Sequence, residues 1–196
     1  MKESTRSFIA ISRITEPLLH EISTWTQKQI TKYEVGFKWV KTENIHLTLR
    51  FLGDITPDQM GCISQTLDKH CKGVQPFKIV VVGIGAFPSL NHPRTLWAGV
   101  QSDFEFHALI SQLDAEITKL GIRFDDRPFS PHLTLCRVSD HAEKNTLLRL
   151  ATDLRSVQNH AFGVTRVNGI TLFKSQWSAQ GPVYTSISTH PFQRQP

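Results

Sequence analysis

His46-Leu47-Thr48-Leu49 recurs letter for letter as His132-Leu133-Thr134-Leu135. In an extended strand alternate side chains share a face, so His46 and Thr48 project one way while Leu47 and Leu49 project the other. The second copy divides in the same manner, and each copy therefore predicts a strand with one apolar face turned to a core and one polar face turned away from it.

The segments around the two copies follow one order. In the first half, Ser7 to Ile11 reads as a buried strand, and a helix is expected from about Glu16 to Ile30, with Pro17 in its first turn and an apolar stripe of Leu18, Leu19, Ile22 and Trp25. The motif strand spans Ile45 to Phe51. A helix from Pro57 to about Lys72 opens on a capping box of Thr56 and Gln59, and a strand from Phe77 to Val82 follows. The second half offers a strand Thr95 to Val100, a helix to Leu120 capped by Ser102 and Glu105, the motif strand His132 to Val138, and a helix from Ala142 to Leu154. Two further strands, Gly169 to Phe173 and Val183 to Ser188, end the chain. Matching elements lie roughly 85–90 residues apart, the spacing of an internal duplication. The expected fold is α+β and bilobal: two similar lobes, each with a mainly antiparallel sheet flanked by helices, and an active-site cleft between them. Residues 1–196 form one such domain, with its linker at the turn-rich Pro88–Pro93.

The totals narrow the class of protein. With 39% hydrophobic and 20% charged residues the chain has the composition of an ordinary globular protein, not of a disordered one. No run approaches the length of a membrane span, and the first residues do not lead into a signal sequence, so a cytoplasmic monomer away from membranes is expected. The three cysteines, Cys62, Cys71 and Cys136, lack the spacing of a zinc or disulfide framework, and their expected role is packing. A net charge of +5 favours polyanions such as nucleic acid.

Two imidazoles and two hydroxyls brought around one cleft suit a phosphate. Histidine titrates near neutrality, so one copy can act as base while the other acts as acid. Threonine hydroxyls donate to phosphoryl oxygens without adding charge. A metal centre is the rival reading, but no carboxylate accompanies either histidine on its strand face, and Cys136 has no counterpart in the first motif. We therefore expect neither metal nor cofactor. The other seven histidines share no pattern and are expected at the surface.

The chain resembles the two-histidine phosphoesterases, and within them the bacterial and archaeal RNA 2′,3′-cyclic phosphodiesterases, also called 2′-5′ RNA ligases. The likeness rests on Phe8-Ile9-Ala10-Ile11, on Glu43 to Gly53 around the first motif, on Gly85-Ala86-Phe87-Pro88, on Leu96-Trp97-Ala98-Gly99-Val100, and on Arg127 to Arg137 around the second motif. It implies hydrolysis of an RNA 2′,3′-cyclic phosphate to a 2′-phosphate, with His46 as proton donor and His132 as acceptor. The residues alone leave that assignment open. They also leave open a ligase using the same groups in reverse, and a module that binds nucleotides or RNA without turnover.

Four further residues are candidates for holding substrate. Arg50 has the strand parity of His46 and is expected at the cleft rim, and Arg127 sits just before the second motif. Arg137 lies inside the motif block but has the opposite parity to His132. Phe129 could stack on a base, although a core position suits it better.

Overall fold

The computed structural model describes residues 4–101, 104–122, 128–179 and 181–193. Strand β1 (Thr5–Ile11) leads into helix α1 (Glu16–Ile30), where Pro17 occupies the first turn and Leu18, Ile22 and Trp25 are buried at helical spacing. A short strand β2 (Phe37–Trp39) and a 3-10 turn (Thr42–Asn44) precede strand β3 (Leu47–Ile55). Helix α2 (Pro57–Cys71) opens on the expected capping box: Thr56 Oγ1 accepts from the Gln59 backbone at 3.3 Å, and Gln59 Oε1 accepts from the Thr56 backbone at 3.0 Å.

Strands β4 (Phe77–Ser89) and β5 (His92–Gln101) then pair, and helix α3 (Phe104–Thr118) follows. Its expected cap at Ser102 lies outside the described residues. Strand β6 (His132–Val138), helix α4 (Lys144–Ser156) and strands β7 (Ala161–Val167), β8 (Gly169–Ser178) and β9 (Gly181–Pro191) complete the chain. Strands β2 and β7 were not expected. The first is three residues long, and the second carries little alternation in its sequence.

The described strands form one sheet in the order β7-β4-β5-β6-β3-β1-β8-β9, with β2 pairing with the end of β6, and all these pairings are antiparallel. The two motif strands are neighbours at the centre, joined through Leu47 opposite Leu133. Those two leucines are 0% exposed, so the apolar face expected of both motifs is the core face.

The halves of the chain are interleaved in this sheet. Strand β4, from the first half, pairs with β5 of the second half, while β8 and β9 return to lie beyond β1. The linker expected at Pro88–Pro93 is instead the tip of the β4–β5 hairpin, with Ser89 opposite His92 and a turn at Leu90 and Asn91. Its turn residues close a two-residue hairpin, and Pro88 and Pro93 face each other at the end of a ladder.

Two other expectations change. His190 is not on the surface: it is 1% exposed, with Nδ1 2.6 Å from Asp68 Oδ1 and Nε2 2.8 Å from Ser188 Oγ, tying β9 to α2. A β-strand places His190 and Ser188 on one side, and that side faces the helix. Cys71 and Cys136 are buried, and burial raises both thiols to about 12, but Cys62 lies on the exposed side of α2. No helix among the described residues is long and apolar enough to cross a membrane.

Candidate active site

His46 sits one residue before β3 and His132 opens β6. With Leu47 opposite Leu133 in an antiparallel pair, the register turns His46 toward Thr134 and Thr48 toward His132. The four polar side chains thus share the face opposite the core, and all four are partly buried.

The two imidazoles are held alike. His46 Nδ1 lies 2.7 Å from the carbonyl of Asn44, and His132 Nδ1 lies 2.7 Å from the carbonyl of Ser130, two residues back in each case. A carbonyl only accepts, so Nδ1 carries the proton and Nε2 is the atom that gains or loses one. Aromatic rings fix the ring planes. His46 packs between Phe8 and Tyr184, both with centroids at 5.1 Å, and His132 packs edge-on to Phe87 at 5.0 Å with Trp97 behind it at 6.3 Å. Trp97 can lie there because Gly85, its partner across the β4–β5 ladder, has no side chain.

Burial lowers the pKa of both histidines below the ordinary value, partly offset by the hydrogen bonds to Asn44 and Ser130. The positive charge of Arg137 lowers both further, and His46 also feels His132. The two imidazoles and Arg137 therefore form one electrostatic cluster.

Arg137 and Arg50 exchange the places expected of them. In the β5–β6 ladder Leu96 pairs with Cys136 and Trp97 with Thr134, which leaves Leu135 as an extra residue. Such a bulge reverses the alternation beyond it. Arg137 consequently joins the face of His132 and Thr134, where its Nη1 donates to Thr95 Oγ1 at 2.9 Å. In the β1–β3 ladder Ala10 pairs with Thr48 and Ile9 with Arg50, leaving Leu49 extra. Arg50 is thereby turned away from the histidines. It binds Asp114 on α3 through two nitrogens, one at 2.6 Å, donates to the Leu49 carbonyl at 2.8 Å, and lies 4.8 Å over the Phe129 ring.

Phe129 accordingly packs against the core with one face covered by Arg50, as its apolar character suggested, and is not displayed to a base. Arg127 lies outside the described residues. Among the described residues, no group of three or more histidines, cysteines or carboxylates is arranged to hold a metal ion.

The sequence reading missed several residues on this face. Phe51 takes the position after the first bulge that Arg137 takes after the second. It is 62% exposed and packs on Phe8. Lys38 on β2 pairs with Arg137 and shares its face. An open cavity of ≈ 410 Å³ beside His46 is lined by Phe8, Phe173 and Tyr184 and by hydroxyl-bearing residues of β8 and β9. The alternation of β8 and β9 could have placed Phe173 and Tyr184 on a face, but nothing in the sequence says that this face adjoins His46.

The profile of the LigT like Phosphoesterase family matches residues 20–97 and 101–184. The chain belongs to this family. A relative from Methanothermobacter thermautotrophicus, named RNA 2′,3′-cyclic phosphodiesterase, is 32% identical over 182 residues, covering 93% of this chain and 96% of its own. Another of the same name from Aquifex aeolicus is 33% identical over 187 residues, covering 93% and 94%. The crystal structure of a Thermus thermophilus protein superposes with a TM-score of 0.79 at 26% identity, covering 96% of this chain and 98% of that one. In this LigT-like phosphoesterase the paired histidine motifs sit in an α+β fold, as expected.

Proposed function

We propose that this chain hydrolyses the 2′,3′-cyclic phosphate at the end of an RNA strand to a 2′-phosphate. Water attacks phosphorus and gives its proton to one imidazole Nε2. The bond from phosphorus to O3′ breaks, and the other imidazole protonates that oxygen. Arg137, Thr48 and Thr134 bind the phosphoryl oxygens on the face that the two motif strands share. The reading is carried by the matched pair of histidines, each with Nδ1 held by the carbonyl two residues back and Nε2 left for proton transfer. Relatives named for this reaction support it.

The cavity supports His46 as the acid and His132 as the base. In-line displacement puts the attacking water opposite the leaving oxygen, so the histidine beside the nucleoside is the donor. The ≈ 410 Å³ cavity, large enough for a nucleoside, is lined by His46 and by the aromatic rings around it.

The proposal includes a metal-free reaction by a single cytoplasmic chain. All the groups named belong to one copy, and the three free thiols suit a reducing compartment. Incubation with nucleoside 2′,3′-cyclic phosphates and cyclic-phosphate-ended RNA, with and without excess chelator, tests it. The expected product is the 2′-phosphate isomer at an undiminished rate in chelator. Absence of turnover would refute the hydrolase, and loss in chelator restored by a divalent ion would refute the metal-free mechanism.

A further inference from the structure

We infer that Arg13, with the hydroxyl row of Ser12, Thr171 and Thr189, binds the next backbone phosphate of the RNA strand, on the 5′ side of the terminal nucleotide. This inference rests on the hydrolase reading and on His46 facing the nucleoside.

The sheet register carries the argument. Thr48 pairs with Ala10, Ala10 with Thr171, and Thr171 with Thr189, so one row crosses four strands on the histidine face. Ala10 is fully buried within this row, so the hydroxyls that reach the cavities are those of Ser12, Thr171 and Thr189. Thr171 lies two strand spacings from Thr48, about 10 Å. Its hydroxyl is 3.3 Å from that of Thr189.

Ser12 continues the same face of the chain past Ala10, and Arg13 follows it. Both line the cavity at His46, and both line a smaller one of ≈ 40 Å³ that shares Thr171 and Thr189 and continues to Asn168 and Pro191. The groove thus runs on past the first nucleoside. Arg13 is exposed, and among the described residues it has no carboxylate partner, so its donors are available to an anion. Glu43 also lines the larger cavity, next to Asn44 and near His46, and it is exposed to solvent, where its charge is screened. A guanidinium beside hydroxyl donors is the chemistry that holds a phosphodiester.

The test compares two substrates that differ by one phosphate: a nucleoside 2′,3′-cyclic phosphate, and the same nucleoside carrying a 5′-phosphate as well. The native protein should favour the second by about tenfold or more in kcat/KM, the effect of one charge-assisted contact. Arg13→Gln should erase that preference, and Arg13→Lys should restore part of it. For an RNA oligonucleotide, Arg13→Gln should also reduce the slope of log affinity against log salt by about 0.7. A merely structural role for Arg13 would move neither the preference nor the slope.

An unaltered preference in Arg13→Gln, or none in the native protein, would overturn the inference. If the native protein turns over neither substrate, the hydrolase reading fails instead. Oligonucleotide binding and its salt slope then decide the groove alone, and equal slopes for Arg13→Gln and the native protein would dismiss it.

Discussion

Arg137 Nη1 donates to Thr95 Oγ1 at 2.9 Å across the β5–β6 ladder, and this contact holds the guanidinium on the face of the two histidines. Thr95 is itself buried, so the contact fixes where the charge sits. Both imidazoles feel that charge, and a phosphate bound between them would feel it too.

Arg137 and Arg50 should therefore fail in different ways. Arg137→Ala should lower kcat/KM by roughly 100-fold, as for removal of one donor to a developing charge, while the protein melts near its normal temperature. Arg50→Ala breaks a partly buried ion pair with Asp114 and should cost about 1–3 kcal/mol. That lowers the melting temperature by about 2–4 °C per kcal/mol. Thermal melts and steady-state kinetics on both variants check this, and the opposite pattern would return Arg50 to the site.

His46→Ala and His132→Ala should each reduce turnover roughly a hundred- to ten-thousand-fold. The double variant should be little worse than the poorer single one, because both groups act in one displacement. Thr48→Ala and Thr134→Ala should cost less, since acid and base stay in place. Near-normal rates in either histidine variant, with an intact circular-dichroism spectrum, would remove the pair from catalysis.

The pH profile follows from the direction of the two shifts. Both histidines have lowered pKa values in the free protein, chiefly through burial. One must be protonated and one neutral, so kcat/KM should follow a bell whose alkaline limb lies below about 6.5. A bound phosphate anion favours the imidazolium, so that limb should move to higher pH in kcat. The same lowering disfavours protonation of the folded state, so stability should decline as pH falls through about 6.5. An alkaline limb of kcat/KM well above 6.5 would contradict the desolvated environment.

Gly85→Ala should disturb the site without touching it. A Cβ there would clash with the indole of Trp97, which packs behind His132. Overpacking of this kind costs about 1–3 kcal/mol. Displacement of the ring should also lower kcat/KM by loosening His132. Unchanged kinetics in a folded Gly85→Ala protein would show that Trp97 does not steady the imidazole.

The polar face of His46, Thr48, His132 and Thr134 and the apolar face of the four leucines were legible in the sequence, because strand alternation is a local rule. So were the bounds of α1 and the capping box of α2, which depend on residues within one turn. The LigT-like family was legible in the motif blocks for the same reason. Tertiary structure decided the rest. An extra residue at Leu49 and at Leu135 is defined only against a partner strand, so parity alone misplaced Arg50 and Arg137. Tyr184 and Phe173 reach the site because β8 and β9 return beside β1, a pairing between segments far apart in sequence. Local pattern sets which side of a strand a residue occupies; the register and order of the sheet set what that side faces.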